Sequence, residues 1–396
     1  MRRSAAIFPG PNTVCGGRVG RAAAVACGWL SFVLIGSPSR GQAVAPESDR
    51  LRAHVTTLAS PEYAGRRGEG AEKAASYVQR AFESLKLRPA FGSTFSQPIP
   101  GEVVGRNVAA ILDGAGEGIK GEYVLVGAHF DHLGIRDGIV FPGADDNASG
   151  VAMMLEVARC LVADPPSRRR SLLFVGFDLE ERALWGSRYM IEHMPVPLES
   201  IKLMVTADMI GRSLGGIKSP YVFAMGTENS PATRPWLDRA AEGLPIKVGR
   251  LGSDLLLLDR SDYGPFRARK VPYLFFSTGE NPCYHRPTDT AETLDYPKLD
   301  AISRLIHRVV RESIVAEPAP AWGSSQAPDI AEAATLRDVI RSLLENREAL
   351  KIGGPIVLVM RSTLASLDAI VTRGSMTSAE RSRVVRAAQA ILLAVF

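Results

Sequence analysis

The chain has 396 residues, 46% of them hydrophobic and 22% charged, an ordinary globular composition with ample material for a full core. Its formal net charge of +5 is an effect of placement, because Arg2, Arg3, Arg18, Arg21 and Arg40 all precede the first acidic residue, Glu47. The remainder is close to neutral, which excludes a basic face for nucleic acid.

In chain order, the first segment reads as an export signal. Arginines run up to Arg21, an apolar run follows from Ala22 to Gly36, and small and polar residues lead to Ala43-Val44-Ala45. Cleavage is expected after Ala43 or Ala45, and the product is expected to be periplasmic or extracellular. The apolar run falls short of the roughly 20 residues a membrane span needs, so removal is expected rather than retention as an anchor. A lipoprotein reading through Cys27 is weaker, since the apolar stretch follows that cysteine. Arg2-Arg3 is too brief a cue for twin-arginine export. Removal of the leader takes Cys15 and Cys27 and leaves Cys160 and Cys283, expected as two unpaired thiols.

The body alternates. A helix is expected over about Ala71–Leu87. Strands are expected near Asn107–Leu112, Tyr123–Ala128, Leu172–Phe177, Leu203–Ala207, Tyr221–Met225 and Val271–Phe276. Val151, Met154, Leu155, Ala158, Leu161 and Val162 keep helical spacing over Ala148–Ala163. Apolar strands separated by helices predict an α/β three-layer sandwich with a mixed, largely parallel central sheet flanked by helices. A Pro/Ser/Gly linker is expected over 317–327, and a helical C-terminal extension over 328–396 whose helices are too short to span a membrane; no stable span is predicted in the mature protein. The expected division is thus a signal peptide at 1–45, a catalytic domain at 46–316, the linker and the extension.

Polar residues interrupt the ends of these strands. His129 and Asp131 follow one strand, Glu180 and Glu181 a second, Asp208 ends a third, and His285 follows a fourth. Ligands gather outside the carboxyl ends of strands in open α/β sheets, so residues far apart in sequence converge there. Asp146 sits in the glycine-bounded loop Gly143–Gly150 before the amphipathic helix, where acids by themselves mean helix capping. The five residues His129, Asp146, Glu181, Asp208 and His285 can hold two divalent cations and leave Glu180 free as a base, which is what hydrolysis of an unactivated amide by water requires. Asp131, two residues along an extended segment, can reach back to the His129 ring. Asp289 is an expected orienting partner near His285.

On AHFDHLG (128–134), GADDNASG (143–150), FDLEERALWGS (177–187), ADMIGR (207–212) and YHRPTDT (284–290), the chain resembles the M28 family of zinc metallopeptidases, from about LASPEYAGRRGEG (58–70) to Ala316. The resemblance implies a zinc-dependent exopeptidase fold and two Zn2+ per chain: one on His129, Asp146 and Asp208, the other on Asp146, Glu181 and His285, with Asp146 bridging. It implies Glu180 as general base, Asp131 as partner of His129, Tyr284 as an oxyanion donor, and a cis peptide at Asp146–Asn147. The implied activity is hydrolysis of peptides or amino-acid amides, foremost as an aminopeptidase, with Asp262 a candidate to hold the substrate ammonium. Alternatives are a carboxypeptidase or dipeptidase of the same fold, a one-zinc glutaminyl cyclase-like acyltransferase, and a non-catalytic receptor-like binding protein. Tyr263, where many members have histidine, and Arg182-Ala183 depart from the family pattern and are expected on the substrate side. The run Leu255–Leu258 reads first as a buried element and second as a side-chain pocket wall.

Overall fold

A computed structural model describes residues 44–256, 259–323 and 328–396. The expected leader with Cys15 and Cys27, Leu257-Leu258 and part of the expected linker lie outside the described residues. The β-branched and apolar runs form strands β1 (Arg88–Pro89), β2 (Ser96–Ile99), β3 (Gly105–Leu112), β4 (Tyr123–His129), β5 (Gly134–Arg136) and β6 (Ile139–Phe141). They continue as β7 (Ser171–Phe177), β8 (Ile201–Ala207), β9 (Tyr221–Met225), β10 (Lys247–Arg250) and β11 (Tyr273–Ser277). The expected strand at Val271 begins two residues later because Pro272 has no N–H to give a ladder. The short strands β1, β2, β5 and β10 carry no apolar run that would announce them, and β6 has only the three residues Ile139–Phe141.

The main sheet has the order β1-β3-β7-β4-β8-β11-β9-β10, with β2 beside β3. Its centre, β7-β4-β8-β11, is parallel throughout, while β3 and β9 meet it antiparallel. The central strands are buried on both faces, and alternate residues feed two cores. Val124, Val126, Leu172 and Phe174 face one. Leu125, Leu173, Val175 and Phe177 face the other.

On the first face lie helices α1 (Ser48–Leu58), α2 (Glu69–Ser84) and α3 (Gly150–Ala163). Helices α4 (Trp185–Glu192), α5 (Arg234–Ala241), α6 (Tyr263–Ala268) and α7 (Tyr296–Ser313) follow. α5 and α7 join the first face, and residues of α4 and α6 the second. The three-layer mixed sandwich is therefore as expected.

The C-terminal helices are α8 (Ile330–Glu345), α9 (Gly354–Arg373) and α10 (Ser378–Val395), and their apolar residues enter the second core. Contrary to the expectation from sequence, α9 is long and apolar enough to cross a membrane by length and composition. It packs between α8 and α10 through Met360, Thr363, Leu367 and Ile370, leaving Leu358 exposed.

Candidate metal centre

The parallel centre of the sheet delivers the polar residues to one rim. His129 ends β4, Asp208 follows β8 directly, the Glu180-Glu181 pair stands just beyond β7, and His285 lies in the loop after β11. Asp146 comes from the turn between β6 and α3, with a cis Asp146–Asn147 peptide. Leu179, Met209 and His285 all have left-handed φ near +55°, a conformation uncommon for such residues. The rim is thus shaped by local backbone that regular strands do not supply.

Two clusters form around Asp146. His129 Nε2 lies 3.6 Å from Asp146 Oδ1 and 3.5 Å from Asp208 Oδ2. On the other side, His285 Nε2 lies 3.2 Å from Asp146 Oδ2 and 3.3 Å from Glu181 Oε2. His132, not singled out from sequence, belongs here: its Nδ1 stands 2.8 Å from Glu181 Oε1, close enough for an ion pair though not aligned as a hydrogen bond. The second histidine of His129-Phe130-Asp131-His132 was the available signal. Glu180 Oε2 is 3.9 Å from His129 Nε2.

Buried polar atoms ordinarily have partners. Here His129 Nε2, both His132 ring nitrogens, Glu181 Oε1 and Asp208 Oδ1 are buried without a hydrogen bond. Imidazole nitrogens and carboxylate oxygens so crowded fit divalent cations of the zinc type, which take such ligands in sets of three or four. The groupings His129, Asp146, Asp208 and His132, Asp146, Glu181 each converge tightly enough to hold an ion.

The charges interact as the crowding dictates. Burial pushes the Glu180 carboxyl well above its ordinary range; His129 opposes this, and Asp208 and Asp262 add to it. Burial raises Asp146 as well, with His132 opposing and Glu181 reinforcing. For Glu181 burial acts upward too, but His132 and His285 outweigh it and hold the group well below the usual carboxylate range. Burial works to lower the His285 imidazole, yet Asp146 and Glu181 prevail and push it up to about 10.

A second ring of groups positions the first. Asp131 accepts the backbone N–H of Glu180 at 3.0 Å and of Glu181 at 3.3 Å. Its carboxylate is 3.6 Å from His129 Nδ1, which lies nearer the Asp131 carbonyl oxygen at 3.3 Å. Asp289 does not orient His285 as expected. Its oxygens accept the N–H groups of Asp145 and Asp146 and pair with Arg212, so it fixes the loop that carries Asp146. Asp145 is committed to Gly211 N–H and the Asn281 amide, which leaves Asp146 as the acid of that pair turned to the clusters. Arg66, fully buried, donates to the carbonyls of Leu58, Phe130, Pro142, Gly143 and Asp146. Gly143 has φ +60°, and a Cβ there would meet the Asp146 carbonyl oxygen at 2.2 Å, so only glycine fits.

The cleft over the clusters has a volume near 140 Å³ and is walled by Asp146, Glu180, Glu181, Asp208, Tyr284 and His285 facing Phe223, Met225, Leu256 and Arg260. The Tyr284 ring stacks on His285, with centroids 3.9 Å apart. Asp262 is 1% exposed and absent from that wall, which removes it as the expected ammonium holder; burial pushes its carboxyl up to about 7. Tyr263 is not on the substrate side either: it is fully buried and stacked against Tyr273 and Phe275. Arg182 opens on a separate hollow beside Arg67 and His132. Of the leucine run, Leu255 and Leu256 line an apolar cavity, and Leu257-Leu258 lie outside the described residues.

The model of "Peptidase family M28" matches residues 107–310. Aminopeptidase YwaD of Bacillus subtilis is 27% identical over 259 residues, 63% of this chain; the match spans only about half, 51%, of that relative's length. A glutaminyl-peptide cyclotransferase of Drosophila melanogaster is 25% identical over 55% of this chain and 68% of its own. The crystal structure of the LapA aminopeptidase from Legionella pneumophila superposes with a TM-score of 0.55 at 22% identity, covering 68% of this chain and 72% of that one, a likeness of fold.

Proposed function

The chain belongs to peptidase family M28, and on that premise we propose that it is an exported dinuclear zinc aminopeptidase acting on peptides or amino-acid amides. The observation that carries the two-metal reading is the division of Asp146. One carboxylate oxygen faces His129 and the other faces His285, the arrangement a bridging ligand requires. In this reading His129, Asp146 and Asp208 would hold one zinc, and Asp146, Glu181 and His285 the other, with His132 behind Glu181 as its ion-pair partner. Zinc so held supplies a Lewis acid and acidifies water at the site.

The chain's own groups do the rest. Glu180 lines the cleft without a role in holding metal, which leaves its carboxylate free to take a proton from the attacking water. The same carboxyl returns that proton to the leaving amine. The Tyr284 hydroxyl donates to the oxyanion that develops on the scissile carbonyl. Asp131 fixes the backbone of the Glu180-Glu181 step, and His132 fixes the Glu181 oxygen turned away from His285. The choice of aminopeptidase rests on the relatives that bear that name. The reading as a cyclotransferase draws on the Drosophila relative, and the two-sided environment of Asp146 favours the hydrolase over it. Export rests on the arginine-then-apolar leader.

The test is Glu180→Gln. It is expected to keep both metals and lose about 10²–10⁴-fold in turnover, whereas Asp146→Ala is expected to lose metal. Full activity in the first variant, or full metal content in the second, overturns the assignment.

A further inference from the structure

Resting on the reading just given, we propose that the C-terminal helices α8 and α10 complete an apolar pocket, continuous with the metal cleft, that receives an aliphatic chain longer than any coded side chain on the acyl side of the scissile amide.

The continuity is residue by residue. Phe223, Met225, Leu256, Arg260, Gly279 and Glu280 line the metal cleft, and the same six line a second cavity of about 420 Å³. The far wall of that cavity is made by Leu336, Val339 and Ile340 of α8 and by Leu392, Leu393 and Phe396 at the end of the chain. All of these lie beyond residue 310, where the family match ends, so this wall is built outside the part of the chain that the family model describes. Leu393 is 70% and Phe396 43% exposed, although both face an otherwise apolar hollow. A contiguous apolar surface of that kind marks a binding site. Its size falls within the roughly 300–1,000 Å³ of small-ligand pockets.

The polar groups on the lining choose the occupant. Arg260 and Glu280 pair with each other at 2.5 Å, and Gln389 donates to the Asp254 carbonyl. All three already have a partner, and the other side chains on the lining are apolar. A peptide backbone laid in this cavity would find no free side-chain partner for its N–H and C=O groups. An alkyl chain carries no such groups, and a scissile carbonyl at the clusters would let the chain run past Leu256 into the cavity.

The wall is fixed in place. Arg381 of α10 forks onto Asp254 and onto Glu332 of α8, with contacts of 2.6–2.8 Å. Glu332 in turn accepts the N–H of Gly252 at 2.9 Å. Both helices thereby clamp the turn that precedes Leu256, the residue shared between cleft and cavity.

The experiment uses the zinc-loaded chain and p-nitroanilides of 2-aminoalkanoic acids with side chains lengthened from alanine through norleucine to 2-aminodecanoic acid. Plain alkanoyl anilides form a parallel arm that tells an amino-acid chain from a simple fatty-acyl chain. In at least one arm kcat/KM is expected to rise beyond norleucine by about two- to fourfold per methylene, the upper figure being full burial of the group. Val339→Trp on α8 and Leu393→Trp on α10 fill the cavity from the two helices of its far wall, the second at an exposed position that accepts bulk. Each is expected to collapse the long-to-short ratio. A ratio that is flat or falling beyond norleucine in both arms, or one unchanged in both tryptophan variants, overturns the proposal. Calorimetric binding of decanoate to the same proteins is the readout independent of turnover. Binding that is lost in the variants, with no anilide cleaved, supports the pocket and refutes the aminopeptidase reading instead; absence of decanoate binding to the unaltered protein counts against the pocket.

Discussion

Replacing His132 by alanine separates the two halves of the metal centre. His132 Nδ1 is 2.8 Å from Glu181 Oε1, whereas His285 and Asp146 face the second cluster through Glu181 Oε2 and Asp146 Oδ2. Its nearest approach to Asp146 is 3.8 Å, and the His129–Asp208 cluster lies on the far oxygen of that carboxylate. Without His132, Glu181 loses one of the groups that hold it below the usual carboxylate range, but His285 and the ordinary acidity of a glutamate keep it ionised at pH 7. What is lost is orientation. Removing a partner that orients a metal ligand typically lowers affinity about 10–100-fold, or about 1.4–2.7 kcal/mol. Zinc titration against a competing chelator is expected to resolve two steps, with the weaker-binding step in the variant displaced by that factor and the other step unmoved. Two unchanged steps, or equal displacement of both, refute the reasoning.

Two further outcomes follow from the surroundings of the site. Arg66→Met keeps the bulk but leaves five carbonyls, four of them buried, without their donor, and is expected to destabilise by about 4–5 kcal/mol in urea unfolding and to lower zinc content; an unchanged midpoint contradicts it. His307 on α7 is buried and its imidazole is pushed down to about 4, by burial first and by Arg311 next. Its folded pKa lies below the unfolded value of about 6.5, so the unfolded chain binds the proton more readily and stability falls as pH drops from 6.5 toward 4, by about 3 kcal/mol at about 1.4 kcal/mol per unit. His307→Gln is expected to flatten that part of the pH–stability profile, and an equal slope in both proteins contradicts the assignment.

The central strands were legible because each is an apolar run closed by a polar residue that an interior strand has no use for. His129, the Glu180-Glu181 step and Asp208 announced the rim in this way. The partner of Asp289 was not readable: sequence proximity pointed to His285, while the chain folds it onto the Asp145–Asp146 amides. Asp262 and Tyr263 were assigned to the substrate side by their place next to a motif, yet burial puts Asp262 behind the wall and Tyr263 in the second core. Arg66 and His132 escaped notice for a related reason. Arg66 acts on main-chain carbonyls, which leave no trace in residue identities. His132 lies three residues from His129, and nothing in the sequence tells that its ring turns to Glu181. The extension was legible as helices but its place was not, since nothing in its periodicity tells that α8 packs beside β10 and α10 against the turn at Asp254.

The central claim is two zinc ions serving one hydrolytic base. Its most direct test is elemental analysis of the purified mature protein together with cleavage of a leucine anilide before and after chelation. The account predicts two equivalents of zinc and hydrolysis that stops on chelation and returns with zinc. One equivalent at full activity, or two equivalents without hydrolysis, contradicts it.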